Sequence, residues 1–126
     1  MFKVLEGSSG DVLGVEISQG YTQSDMEQFK QEFEKILGQG SSKVNILVKM
    51  DEMSVLGSEF KAVWKDSIYA LKHMNQLRHI AIVGSSSALK AIIAVDNAIF
   101  GKKSEEREEK YFDLADMDKA WDFVRG

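Results

Sequence analysis

The stretch HIAIVGSSSALKAIIAVDNAIF, residues 79–100, decides the fold class of this chain. Its first part, His79 to Val83, is apolar and rich in β-branched residues, which is typical of a buried strand. A glycine and three serines follow, and they predict a short turn with candidate helix caps. From Ala88 to Phe100 the apolar residues recur at helical spacing. A strand, a tight turn and a helix in this order indicate an α/β protein.

The same alternation continues toward the amino terminus. Segments 2–6 and 12–17, separated by turn residues, predict a hairpin. Thr22 or Ser24 can cap a first helix that ends at Gly38 and Gly40, and residues 44–48 predict another buried strand. A second amphipathic helix is indicated by apolar or small residues at Phe60, Val63, Trp64, Ser67, Ile68 and Leu71.

Toward the carboxyl terminus, residues 109–112 predict a last strand. Asp113 or Asp116 can cap a last helix that carries Met117, Ala120, Trp121 and Val124. The order β-β-α-β-α-β-α-β-α predicts an α/β fold with a central mixed, mainly parallel sheet of four to five strands and about four helices.

The amino-acid composition limits the kinds of function that this chain can have. A length of 126 residues with 44% hydrophobic and 29% charged residues is typical of one globular domain, 1–126. The chain has no cysteine, which excludes disulfides and thiolate chemistry. A net charge of −4 makes nucleic acid an unfavourable partner. No targeting segment or transmembrane stretch is visible, so we expect a cytoplasmic protein.

Candidate catalytic groups are few. His73 and His79 have no metal-ligand spacing, and the GxSxG elbow is missing. The segment 84–87 could attract an anion weakly, but serine capping of a helix is the simpler interpretation because the phosphate-binding glycine motifs are missing. We therefore expect no enzyme activity, no metal and no cofactor.

The helix beginning near Ala88 has an apolar arc wider than a core-facing stripe requires. Ordinary core burial, a pocket wall and a subunit interface all explain this pattern. A homodimer is the preferred explanation outside the core, because two-fold association is the commonest way to cover such a patch. The candidate interface comprises Leu89, Ile92, Ile93, Val95, Ile99 and Phe100.

Two further candidate sites follow from the second helix and the loop before it. Phe60, Trp64, Ile92 and Ile93 are candidates for lining an apolar pocket, although aromatic residues at helical spacing are more often core. The loop at 50–58 follows a strand end, where parallel sheets carry functional loops. Its Asp51, Ser54 and Ser58 form a candidate partner or phosphorylation loop.

Several segments resemble one known family. The segments are Gly20-Tyr21-Thr22, Ala62-Val63-Trp64-Lys65-Asp66, His79-Ile80-Ala81-Ile82-Val83-Gly84 and the ending Tyr111-Phe112 with Asp118-Lys119-Ala120-Trp121. The family that they resemble is the SpoIIAA-like family. That family is related in fold to STAS domains and to the lipid-binding lobe of CRAL-TRIO proteins, and most of its members are bacterial proteins without an assigned activity.

The resemblance implies a STAS-like sheet with helices packed on it. In the anti-sigma-factor antagonists, a phosphorylatable serine opens the second helix within an Asp-Ser-Ser-Gly segment. Ser54 or Ser58 occupies roughly that place here, but the motif itself is absent. The first hypothesis is therefore a non-enzymatic interaction or regulatory module with a protein partner, and the alternative is a carrier or sensor of a small apolar ligand or lipid.

Overall fold

The computed structural model describes residues 2–40, 42–51, 60–70, 76–100 and 108–126. Strands and helices alternate in the predicted order. Their bounds are β1 Phe2–Val4, β2 Val12–Ile17, α1 Gln23–Gly38, β3 Val44–Met50, α2 Phe60–Ala70, β4 Leu77–Gly84, α3 Ser86–Phe100, β5 Glu108–Asp113 and α4 Met117–Arg125, with a short 3-10 helix at Leu114–Asp116.

The five strands form one mixed sheet in the order β1-β2-β3-β4-β5. β1 runs antiparallel to β2, and the other neighbours are parallel. Because parallel strands adjacent in sequence are joined by right-handed crossovers, the three crossover helices α1, α2 and α3 lie on one face of the sheet. We call this the inner face, and the opposite one the outer face. The predicted α/β fold with a mixed, mainly parallel sheet is confirmed.

The first helix begins and ends as its sequence predicts. The Thr22 side chain accepts a hydrogen bond from the Asp25 N–H, and the Asp25 carboxylate accepts one from the Thr22 N–H. This reciprocal capping box satisfies two N–H groups that the first turn leaves without helical partners. The helix ends at Gly38, and Gly40 follows with φ 99°, a backbone conformation that favours glycine.

The predicted hairpin is also confirmed. Phe2 lies opposite Ile17 in the ladder, and the Leu5 N–H donates to the Gly14 carbonyl at 2.8 Å. The Ser8 hydroxyl closes the turn, because it accepts from the Gly14 N–H at 2.8 Å and donates to the Gly14 carbonyl at 3.1 Å.

Successive side chains of each strand point to opposite faces of the sheet, so the protein has two hydrophobic cores. The larger one lies between the inner face and α1–α3; its most buried members include Leu13, Ile17, Phe33, Val48, Leu77, Ile82 and Ile92. The smaller one lies between the outer face and α4, and comprises Val12, Leu47, Ala81, Val83, Ala120 and Val124. In the part of the chain that the structure describes, α4 is the one helix packed on the outer face.

Trp121 holds α4 against the sheet. Its ring lies over two glycines, so that a Cβ built on Gly7 would stand 2.7 Å from the ring, and one on Gly14 would approach it more closely. The Arg125 guanidinium covers the ring at 4.7 Å from its centroid, and it also donates to the Gly7 carbonyl at 3.4 Å. The glycines therefore form a slot that admits a large aromatic side chain.

The outer face is polar where β2 and β3 approach their carboxyl ends. Lys49 and Glu16 project there and form an ion pair with an N–O distance of 3.1 Å. Both side chains are about one third exposed, so the pair contributes little stability, of order 1 kcal/mol or less. None of the helices in the described ranges is long and apolar enough to cross a membrane.

Candidate functional site

The carboxyl ends of the four parallel strands meet along one edge of the sheet. Ile17 pairs with Met50, and Gly84 pairs with Asp113. The residues that follow these strand ends therefore lie near one another. We call residues 18–22, Asp51 and residues 85–87 the carboxyl edge. Ligands and partners of parallel α/β sheets are typically bound at this edge.

A hydrogen bond joins the ends of β2 and β3 at this edge. The Gln19 N–H donates to the Asp51 carboxylate at 3.1 Å. Gln19 has φ 59°, which is uncommon for a residue with a side chain, and Gly20 follows with φ 112°. Asp51 therefore holds the turn after β2 in a strained conformation, and strained turns of this kind concentrate at functional sites. The Gln19 side chain is exposed.

The start of α3 adds hydroxyl groups to the same edge. The Ser85 hydroxyl accepts from the Ala88 N–H at 3.3 Å, as the sequence predicts for a capping serine. Ser86 and Ser87 are exposed. Gly84 lets β4 approach β3 closely, since a Cβ there would lie 3.3 Å from the Met50 carbonyl oxygen.

Of the three candidate residues in the predicted partner loop, the structure describes one. Asp51 lies half-buried at the carboxyl edge, where the sequence places it. Ser54 and Ser58 lie outside the described residues, so the partner or phosphorylation role of the loop stays a prediction. Sequence reasoning missed the contact between Asp51 and Gln19, although the Gln-Gly pair at 19–20 was a turn signal that could have indicated it.

Three of the four predicted pocket residues lie together in the inner core. Phe60, Trp64 and Ile92 are at most 4% exposed, and the Phe60 and Trp64 rings are stacked with centroids 6.0 Å apart. Ile93 is half-buried. The apolar pocket stays a prediction, and a ligand placed there would have to displace packed side chains.

A buried polar pair that the sequence did not reveal lies beside these aromatics. The Tyr21 hydroxyl and the Ser67 hydroxyl are 2.7 Å apart, and Tyr21 meets Trp64 edge-on with centroids 6.1 Å apart. Burial raises the pKa of Tyr21 well above its ordinary value; the hydrogen bond with Ser67 opposes this, and the Asp25 charge adds to it. The pair links the turn before α1 to α2, and both hydroxyl groups are buried.

The predicted dimer interface divides into two parts. Ile92 is completely buried within the chain, whereas Leu89 and Ile93 are half-buried on α3. The side chains of Val95, Ile99 and Phe100 lie outside the described residues. The interface stays a prediction, and Leu89 and Ile93 are the described members that retain accessible surface.

The titratable residues that the structure describes are not brought together at the carboxyl edge as a set of catalytic groups. Asp51 binds a backbone N–H, and His79 lies near the opposite, amino end of β4 on the outer face, where it contacts Phe123. Within the described ranges, no group of three or more His, Cys, Asp or Glu residues is placed to hold a metal ion. His73 lies outside these ranges.

A comparison with known families bears on this geometry. The SpoIIAA-like family matches residues 12–125, which is nearly the whole chain. The chain belongs to the SpoIIAA-like family. The match begins at β2 and ends with α4, so this SpoIIAA-like chain has its entire parallel sheet and all described helices within the family region. Comparisons with curated proteins and with solved structures returned no match.

Membership supports a STAS-type domain, a class that is generally non-catalytic. For the SpoIIAA-like chain this agrees with the sheet topology and with the placement of its exposed loops at the carboxyl edge. Fold alone does not assign the partner, because related folds serve different functions.

Proposed function

We propose that this SpoIIAA-like protein is a non-enzymatic regulatory module that binds another protein through its carboxyl edge. The hydrogen bond from the Gln19 N–H to the Asp51 carboxylate carries the proposal, because it fixes the turn after β2 against the end of β3. Preordered loops lose less conformational entropy on binding than free ones. The exposed side chains of Gln19, Ser86 and Ser87 supply adaptable hydrogen bonds on that surface.

The proposal includes a phosphorylation switch at Ser54 or Ser58. Both residues follow Asp51 in the loop where anti-sigma-factor antagonists, which share the fold, carry their phosphorylatable serine. A phosphate would add about two negative charges beside the edge, which would repel an acidic partner and attract a basic one. A cytoplasmic location belongs to the same proposal.

A photo-crosslinking experiment in the native host tests the docking edge. A benzoylphenylalanine residue replaces Gln19 in one variant and Glu34 in a control variant, since Glu34 is exposed on α1 away from the edge. We expect a discrete adduct with one partner from the position-19 variant alone. Adducts of equal yield from both positions, or from neither, would contradict the proposal.

The switch is tested on the partner so obtained. Ser54→Asp and Ser58→Asp introduce a negative charge, and Ser54→Ala and Ser58→Ala remove the hydroxyl without adding one. We expect at least one of the aspartate variants to change the partner's affinity while its alanine counterpart retains it. Equal affinity for all four variants and the parent protein would remove the switch from the account.

The alternative, a carrier of an apolar ligand, is supported by one observation. Phe60 and Trp64 stack beside the buried hydroxyl pair of Tyr21 and Ser67, so an apolar wall adjoins a polar anchor. Ligand sites commonly combine these two features. Native mass spectrometry separates the alternatives, because a carrier would retain a bound apolar molecule.

The proposed module also forms a homodimer through α3. The support is the accessible surface that Leu89 and Ile93 retain on a helix whose sequence is unusually apolar. Burying such residues against a second copy is favourable by roughly 25 cal/mol for each Å² of apolar surface removed from water.

A further inference from the structure

The strand β5 forms one lateral side of the sheet, and β1 forms the other. In the part of the chain that the structure describes, β5 pairs with β4 alone, and half of the backbone N–H and C=O groups of a strand point away from its neighbour. The six residues of β5 pair with β4 in an unbroken register, whereas β1 has three residues. Of the two lateral sides, β5 therefore offers the longer template for an added strand.

Two aromatic side chains of β5 keep accessible surface at this side. Tyr111 packs against the inner core and Phe112 against the outer core, and both are half-buried. A strand added beside β5 would cover more of both rings, which is favourable because apolar surface leaves water. Charged side chains decide which strands can pair with such a template.

The charges of β5 differ between its two faces. On the outer face, Glu108 and Lys110 form an ion pair with an N–O distance of 3.6 Å. On the inner face, the Tyr111 hydroxyl donates to the Glu109 carboxylate, and alternation along the strand places Asp113 on the same face. The inner face of β5 therefore carries two carboxylates, four residues apart.

A second copy of this chain is a poor match for β5. Two copies related by a two-fold axis would pair β5 with itself in antiparallel fashion, with inner side chains opposite inner ones. Centred on Tyr111, this pairing sets Glu109 opposite Asp113 of the other copy. Centred on Lys110, it sets the two lysines opposite each other. Like charges directly opposite are destabilising, so the charge pattern favours a different segment.

We propose that β5 binds an extended segment of another protein as an additional strand, and that this segment carries two basic residues four positions apart. The basic side chains lie opposite Glu109 and Asp113, and a β-branched or hydroxyl residue between them lies beside Tyr111. Backbone hydrogen bonds supply affinity in this mode of recognition, and the side chains supply specificity. The surface runs along the side of the sheet, so it is separate from the carboxyl edge and can be tested without it.

A synthetic peptide tests this pairing. The probe is a short peptide with blocked ends, two lysines four positions apart, and valine and threonine elsewhere; the control peptide has glutamates in place of the lysines. Each is titrated to millimolar concentration into the isotope-labelled full chain, and amide shifts are followed by NMR. We expect the lysine peptide to change the shifts of residues 108–113 and the glutamate peptide to leave them unchanged. No change with the lysine peptide, or changes centred on the carboxyl edge, would overturn the proposal.

Methylated peptides separate strand pairing from charge attraction. Alternate N–H groups of a strand point to opposite sides, so N-methylation of one alternate set should remove the hydrogen bonds to β5. We expect that set to lower the affinity of the lysine peptide by at least about tenfold, and the other set to leave it unchanged. Equal affinities for the two methylated peptides would overturn the proposal.

A pair of substitutions tests the role of the two carboxylates. Glu109→Gln with Asp113→Asn removes both charges and keeps oxygen acceptors for the Tyr111 hydroxyl and the Ala115 N–H. We expect the lysine peptide to bind this variant about fivefold more weakly. Glu27→Gln with Glu34→Gln is the matched control, since both residues are exposed on α1, and it should bind like the parent protein. Equal weakening in both variants, or in neither, would contradict the assigned charge pattern.

Discussion

Gly14→Ala tests the packing of α4 on the outer face. Gly14 projects toward the Trp121 ring, and a Cβ added there would stand 3.1 Å from Cζ2 and from Cζ3, with Cη2 nearer still. Comfortable carbon–carbon contacts are about 3.5–4.0 Å. The ring must therefore retreat from the slot or the strand must move, and either change loosens α4.

The size of the effect follows from two opposing contributions. Overpacking a tight contact by one methyl group typically costs about 1–3 kcal/mol. Replacing glycine by alanine also restricts the unfolded chain, which stabilises the protein by about 0.4–1 kcal/mol. We therefore expect Gly14→Ala to lower the free energy of unfolding by about 1–2 kcal/mol.

Urea unfolding with and without a change at Trp121 provides the assay. Trp121→Phe shortens the ring, so Gly14→Ala should cost less in that background, and the double-mutant cycle should show a coupling energy of about 1 kcal/mol. Gly38→Ala is the matched control, because a Cβ there meets no atom within 4 Å. If Gly14→Ala were as stable as the parent protein, the close contact between Gly14 and the Trp121 ring would be refuted. The same holds if its effect on the free energy of unfolding were strictly additive with that of Trp121→Phe.

Four further predictions concern the inner core, the proposed dimer and the alternative function as a carrier. Tyr21→Phe should lower stability by about 1 kcal/mol at pH 7, because Ser67 loses its buried partner. Since burial raises the pKa of Tyr21, the unfolded state releases this proton first as pH rises above about 10, and the parent protein should lose stability there more steeply than Tyr21→Phe in urea unfolding. Ile93→Glu should convert a dimer to a monomer by light scattering, whereas Lys90→Glu on the same helix should not, and a mass unchanged by both would remove the interface. Native mass spectrometry should give the mass of the polypeptide without an apolar ligand, and a co-purifying lipid would favour the carrier instead.

Elements governed by local sequence were predicted well. The N-cap at Thr22, one of the two predicted candidates, and the β-branched strand β3 each follow from residues adjacent in the chain. β3, β4 and β5 extend slightly further than predicted, because pairing with neighbouring strands orders their terminal residues, whereas β1 ends at Val4, two residues earlier than predicted. Periodicity also placed Trp121 on the apolar face of the last helix.

Contacts between distant segments were not predictable from these patterns. The slot for Trp121 needs glycines at two positions far from it in sequence. Nothing in the sequence around either glycine indicates that it packs against Trp121. The Tyr21–Ser67 pair likewise joins the turn before α1 to α2, two segments whose relative position is fixed by the sheet. At the candidate site, the sequence indicated the Asp51 loop, but its bond to Gln19 depends on the register of β2 and β3.

Titration of the isotope-labelled protein with its crosslinked partner, followed by NMR, tests the central claim most directly. The account predicts that the amide shifts change most at residues 18–20, Asp51 and residues 85–87, and that Asp51→Ala weakens binding because the Gln19 turn loses its anchor. Shift changes centred on α4 or on the exposed side of α1, with the carboxyl edge unaffected, would contradict it.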